Sequence, residues 1–230
     1  MTVDLVGGRV PPAARSARRE ELLDAADRAV QRDGPGTSMA AVAAQAGISK
    51  PILYRHFGDK AGLVAALADR HTARLMLALR AALATGRTRR ERLRLTVEAY
   101  LAAIEAAPQL YRFLLRPEGA AAPEQVRTFT RRLGDVLADG IAAELGVAPA
   151  GSRERAWGHG IVGMVQTAGD WWLETAACPR GAMAEQLTDL VLGAYAAAGA
   201  PAPGAAAGPG PAAAPARTRS GSPSGRARPS

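Results

Sequence analysis

Cysteine, histidine, lysine and aromatic residues are all scarce in these 230 residues, and each scarcity closes off a class of function. The lone cysteine, Cys178, excludes an intramolecular disulfide framework and any multi-cysteine metal knuckle. Only His56, His71 and His159 are available for acid–base work. No phosphate loop or dinucleotide fingerprint is present, so a helical enzyme is the weaker reading and no catalytic residue or cofactor is expected. Asp170 and Glu174 lie one helical turn apart but lack a third ligand, so no metal site is expected either. Apolar runs such as Leu63–Ala68 are far too short to span a membrane. Residues 1–14 mix Asp4, Gly7, Gly8, Arg9, Pro11 and Pro12, so no signal peptide is expected. A soluble, cytoplasmic protein is expected.

Charge of one sign is abundant: Lys and Arg number 29 against 21 acids, for a net +8. Half of that excess comes from Arg217, Arg219, Arg226 and Arg228, in a tail without a single acid. The rest of the chain is nearly balanced, so the basic pI by itself is a poor argument for a chromatin-like protein. Residues 196–216 are only Ala, Gly and Pro. With seven prolines and nothing large enough for a core, 199–230 is expected to be disordered, as a solvated extension or an auxiliary arm on DNA.

What remains is helical in pattern. Ala and Leu dominate, apolar residues recur at three and four, and no segment alternates as a strand. Helices are expected at about 17–32, 39–46, 50–56, 60–85, 89–107, 110–115, 124–145, 153–174 and 180–197. The stop and start signals are Asp33-Gly34-Pro35-Gly36, Gly47, Gly58, the capping box Thr88-Arg89-Arg90-Glu91, Pro108, Gly146 and Pro179. The fold class is all-α. The expected division is a flexible 1–14, a helix-turn-helix domain 15–62, a larger helical domain 63–198, and the tail 199–230.

Two short helices joined by Gly47-Ile48-Ser49 form a helix-turn-helix. Gly47 suits a tight turn at positive φ, and Leu53 and Phe57 turn inward. Lys50, Pro51, Ile52, Tyr54, Arg55 and His56 are left near the start and outer side of a helix too short for a main core element. Such a helix fits a major groove.

The run Thr37-Ser38-Met39…Ala43…Ala46-Gly47-Ile48-Ser49-Lys50-Pro51-Ile52-Leu53-Tyr54-Arg55-His56-Phe57-Gly58-Asp59-Lys60…Leu63 resembles the DNA-binding signature of the TetR family of bacterial transcriptional regulators. The likeness covers about residues 15–70. Val30 stands where an aromatic is common, and Pro35-Gly36 where an apolar pair is. The resemblance implies a ligand-responsive repressor that binds a palindromic DNA operator as a homodimer. Thr37 and Ser38 both offer N-caps for the first short helix, and by the same resemblance Thr37 is its cap and a phosphate contact. Lys50, Pro51 and Ile52 face bases, Tyr54, His56 and Lys60 clamp phosphates, and Arg55 does either. The plainer reading leaves Tyr54 and His56 as half-buried packing residues.

All three tryptophans fall in 157–172, among Gly160, Gly163 and Gly169. Each glycine costs a helix up to about 1 kcal/mol, a cost usually kept where another helix or a ligand comes close. The Gly-Asp-Trp-Trp end resembles, more weakly, an actinobacterial subgroup responsive to long-chain acyl-CoA. The candidate effector residues are Tyr100, Ile104, Tyr111, Phe113, Trp157, Met164, Gln166, Asp170 and Trp171, with ordinary core packing as the alternative. An apolar tunnel is expected, with arginines 87, 89, 90, 92 and 94 as candidates for an anionic headgroup at its mouth. A drug-responsive repressor of an efflux gene is the competing effector reading. Ile161, Val165, Ala168, Trp172, Leu187, Leu190, Val191 and Ala194 form the apolar faces expected at the dimer seam.

Overall fold

The computed structural model describes residues 12–115 and 124–197. The expectations for the tail and for residues 1–11 lie outside them. Among the described residues there are nine helices and no strand: α1 (Pro12–Asp33), α2 (Met39–Gln45), α3 (Lys50–Phe57), α4 (Lys60–Thr85), α5 (Arg89–Ala106), α6 (Pro108–Leu115), α7 (Glu124–Leu145), α8 (Ser152–Thr175) and α9 (Arg180–Ala197). Helix α1 already begins at Pro12, inside the segment expected to be flexible.

The local chemistry explains most boundaries. A 3-10 turn over Gly34–Gly36 ends α1. Asp59 caps α4 by accepting from Gly62 N at 2.7 Å. Thr88 and Glu91 form the expected capping box, Glu91 N donating to Thr88 Oγ1 at 3.1 Å and Thr88 N to Glu91 Oε2 at 3.3 Å. Ser152 is the first residue of α8, and Gly151 holds the cap position.

Two principal cores form. In the first, Leu22, Ala26 and Val30 of α1 meet Val42 of α2, Leu53 and Phe57 of α3, and Leu63 and Leu67 of α4. Leu110, Phe113 and Leu114 of α6 also bury here, although α6 is more than forty residues downstream of the helix-turn-helix. Arg70 and His71 fasten α4 to acids of α1: Arg70 pairs with Asp24, and His71 Nε2 lies 2.8 Å from Asp27 Oδ1. The second core joins Leu79 of α4, Val97, Tyr100, Leu101 and Ile104 of α5, Trp172 of α8, and Met183 and Leu187 of α9.

That second core corrects the expected dimer seam. Trp172 and Leu187 belong to it, and Val191 is buried within the same chain. The apolar stripe of α9 packs on α5, so these three residues have no surface left for a second copy. Of the other seam candidates, Ile161, Val165 and Ala168 are half-buried, while Leu190 and Ala194 are exposed.

Helices α7 and α8 approach most closely where side chains vanish. A Cβ at Gly158 would lie 2.4 Å from the Gly134 carbonyl oxygen, which no rotamer change relieves. On α7, a Cβ at Gly140 would meet nothing within 4 Å. Gly158→Ala should therefore cost about 1–3 kcal/mol through overpacking, whereas Gly140→Ala should be neutral or stabilising by up to about 1 kcal/mol. Urea unfolding of the two variants checks the contrast; equal stabilities would contradict the close approach.

Candidate DNA-binding helix pair and C-terminal cleft

The helix pair turns at Gly47, whose φ is +64°, with Ile48 N donating to the Ala43 carbonyl at 3.0 Å. Gly58, at φ +80°, ends α3, and its N–H returns to the Tyr54 carbonyl at 2.7 Å. Ser38 is the cap of α2, its Oγ accepting from Ala41 N at 3.2 Å. Thr37 is only 3% exposed, and its Oγ1 donates to the Gly34 carbonyl at 2.6 Å. This corrects its expected role as cap: the hydroxyl braces the turn after α1, and Ser38 takes the cap position of α2. Ser49 precedes α3 without a side-chain cap bond, its carbonyl accepting from Ile52 N and Leu53 N.

Helix α3 buries Leu53 and Phe57 and turns its other side outward. Lys50, Pro51, Tyr54, Arg55 and, at the start of α4, Lys60 are exposed, while Ile52 and His56 are half-buried. Lys50, Arg55 and Lys60 form no ion pair among the described residues. Lys60 Nζ instead lies 6.0 Å from the ring centroid of Phe113 on α6. His56 titrates below its ordinary value, first because of burial and then because of Arg55, Arg18 and Arg19, which favours its neutral form at pH 7. Arg19 of α1 was missed in the sequence; its Nη1 donates to the His56 carbonyl at 2.9 Å.

In the C-terminal part, a cleft of about 570 Å³ opens between α6, α7 and α8. Helix α6 supplies Tyr111 and Leu115, α7 supplies Val126, Arg127, Thr130 and Arg131, and α8 supplies His159, Gln166, Thr167 and Asp170. Gln166 Nε2 donates to Thr130 Oγ1 at 3.2 Å across the cleft. At the α6 side, Tyr111 donates to Asp170 Oδ1 at 2.5 Å, and the hydroxyls of Tyr100 and Tyr111 are 2.9 Å apart. Tyr111 spends its one proton on the carboxylate, so Tyr100 donates to Tyr111. Burial pushes Tyr100 up to about 12. It pushes Tyr111 up further, with Tyr100 and the Asp170 carboxylate adding to the effect. Both are neutral phenols at pH 7.

Of the expected effector residues, then, Tyr111, Gln166 and Asp170 line this cleft and Tyr100 stands behind it. Ile104 is buried in the second core and Phe113 in the first. Trp157 sits against Tyr195 of α9, with ring centroids 6.1 Å apart, and Trp171 is 52% exposed. Met164 is half-buried and outside the lining. Eight of the cleft's ten lining residues carry a polar group, unlike the expected apolar tunnel. Its two arginines also come from an unexpected helix. Arg90 is held by Glu185 and Asp189, Arg89 by Glu144 and Arg94 by Glu98, each within 2.9 Å, so these members of the expected headgroup cluster are engaged elsewhere. Among the described residues no three His, Cys, Asp or Glu side chains gather as a metal site, and no helix is long and apolar enough to cross a membrane.

Known proteins share the helix-turn-helix and the helical C-terminal part. Residues 22–67 match the family described as bacterial regulatory proteins, tetR family, and residues 78–207 match the tetracyclin repressor-like C-terminal domain. The chain is 34% identical over 171 residues to the HTH-type transcriptional activator FasR of Mycolicibacterium smegmatis, covering 73% of this chain and 76% of that protein. A TetR-like regulator from Rhodococcus has the same fold, with a TM-score of 0.60 and 28% identity over 82% of this chain and 99% of that one. FadR of Bacillus subtilis, solved with stearoyl-CoA, matches in fold with a TM-score of 0.60 at 17% identity, over 75% of this chain and 96% of that one.

Proposed function

The chain belongs to the TetR family of bacterial regulatory proteins, and from that premise we propose a dimeric operator-binding repressor controlled by an anionic, acyl-CoA-like effector in the α6–α7–α8 cleft. That it is a transcriptional regulator and not an enzyme follows from the family itself. The observation that carries the finer reading is the double allegiance of α6. Leu110, Phe113 and Leu114 are buried with the helix-turn-helix, while Tyr111 and Leu115 line the cleft. A ligand that displaces Tyr111 must therefore move side chains packed beneath α1–α4.

On the DNA side, Lys50, Pro51 and Ile52 are proposed to face bases, and Tyr54, His56 and Lys60 to hold phosphates, with Arg55 able to do either. In the cleft, Arg131 supplies charge for phosphate oxygens, and Arg127, paired with Glu124 on its own helix, would exchange that carboxylate for phosphate. Thr130, Gln166 and Thr167 suit an amide-bearing arm. An acyl chain would then open the second core behind Tyr111, where each buried methylene gains about 0.8 kcal/mol. FadR of B. subtilis holds stearoyl-CoA in this fold; at that identity the likeness is one of fold, so the support here is the cleft's own lining. A second reading, activation in place of repression, is favoured by the name of the FasR relative.

Family members dimerise, and the face proposed for it here is the exposed side of α8 with Leu190 of α9. Ala156, Gly160, Gly163 and Trp171 are exposed along one side of α8, and Cβ atoms at Gly160 or Gly163 would meet nothing within 4 Å in this chain. Leu190 is 57% exposed. A second copy would place two recognition helices in successive major grooves, about 34–36 Å apart, on a near-palindrome.

Three outcomes are expected. First, Tyr54→Ala and Lys60→Ala should weaken binding to all duplexes alike, Lys60→Ala lowering the salt slope by about one unit. Changing Lys50 or Ile52 should shift base preference in a selection from random duplexes; a Tyr54/Lys60 double variant with full affinity would refute the assignment. Second, Gly163→Glu combined with Leu190→Glu should sediment as a folded monomer, and a persistent dimer would place the interface elsewhere. Third, operator affinity titrated with acyl-CoAs should respond more strongly as the chain lengthens. A flat series beside a clear response to a compact aromatic drug would favour the efflux reading, and a reporter gene separates repression from activation.

A further inference from the structure

Recognition helix α3 is anchored narrowly. It is eight residues long, and only Leu53 and Phe57 are buried. Those two residues are four apart, so they lie on one line along the helix. A line of contact opposes sliding and withdrawal better than it opposes rolling about the helix axis. Rolling is the motion that would swing Lys50, Ile52 and Tyr54 away from their targets. The start of α3 offers little resistance, since Ser49 makes no side-chain cap bond.

One side chain from outside the helix-turn-helix supplies an off-line contact. Arg19 of α1 extends to the last turn of α3, where Nη1 donates to the His56 carbonyl at 2.9 Å. The same guanidinium carbon lies 4.6 Å from the centroid of the Phe57 ring. The carbonyls of a helix's last turn have no intrahelical N–H, and a cation there complements the negative end of the helix dipole. The neighbouring Arg18 is engaged differently, pairing with Glu21 on its own helix at 2.6 Å. Stacking on Phe57 while donating to His56 requires a planar fork, which a lysine ammonium cannot reproduce.

We propose that Arg19 is a positioning residue for operator recognition: it pins the C-terminal turn of α3 to α1 and fixes the roll of the helix in the groove without contacting DNA. The proposal predicts a loss confined to specific recognition. A phosphate contact would instead weaken every duplex and depend on charge alone.

The experiment uses the full chain and an operator selected by the wild-type protein from random duplexes. Affinity for that operator and for a random duplex is measured by fluorescence anisotropy across a salt series, with thermal unfolding in parallel. Arg19→Ala should bind the operator about five- to tenfold more weakly. It should bind the random duplex within about twofold of wild type, with an unchanged slope of log affinity against log salt. Arg19→Lys should not restore the operator affinity. Arg19→Gln, which keeps the stem and an amide donor, gives the same comparison should the alanine variant fail to fold. A slope lowered by about one unit with rescue by Arg19→Lys would make Arg19 a phosphate contact and overturn the proposal. Equal losses on both duplexes, or no loss on either, would overturn it as well.

Discussion

Leu110, Phe113 and Leu114 bury one side of an eight-residue helix in the core built by α1 to α4, while Tyr111, on the same helix, donates to Asp170 on α8. Neither commitment can be relaxed cheaply. Withdrawing three large apolar side chains would leave a cavity against α1 and the turn that follows it, and breaking the Tyr100–Tyr111–Asp170 chain would leave the buried Tyr100 hydroxyl without its acceptor. Helix α6 is thus the short element whose two sides answer to different parts of the molecule. The long helix α4 offers a second connection, with Leu63 and Leu67 in one core and Leu79 in the other.

The distribution of charge follows the same division. On α5 and α9, arginines and acids neutralise one another: Arg90 with Glu185 and Asp189, Arg94 with Glu98. Exposed pairs of this sort contribute little stability, but they remove free cations from that surface. At the helix pair, Lys50, Arg55 and Lys60 are exposed and have no acid paired to them among the described residues. The helix pair thus presents three cations that no acid neutralises, which net charge alone does not reveal.

Local features were legible in the sequence because they depend on neighbours along the chain. The Thr88–Glu91 capping box, the positive φ at Gly47, the inward turn of Leu53 and Phe57 and nearly all helix limits are of this kind. Features that depend on which distant helix comes near were not. The apolar stripe with Leu187 and Val191 reads the same whether its cover is α5 or a second copy, since amphipathicity names no partner. Thr37 reads as a cap until Gly34 offers its carbonyl 2.6 Å away. The cleft gathers Arg127, Gln166 and Tyr111 from three helices, and Arg19 meets His56 across 37 positions. No spacing within a helix encodes these meetings.

The claim that α6 joins the cleft to the DNA-binding helices is tested most directly by hydrogen–deuterium exchange of the full chain, with and without a saturating long-chain acyl-CoA. Occupancy of the cleft should change amide protection in α6 and, with it, in α2, α3 and the first turns of α4. Changes confined to α7 and α8, with bound ligand demonstrated and α6 and the helix pair exchanging as before, would contradict the account.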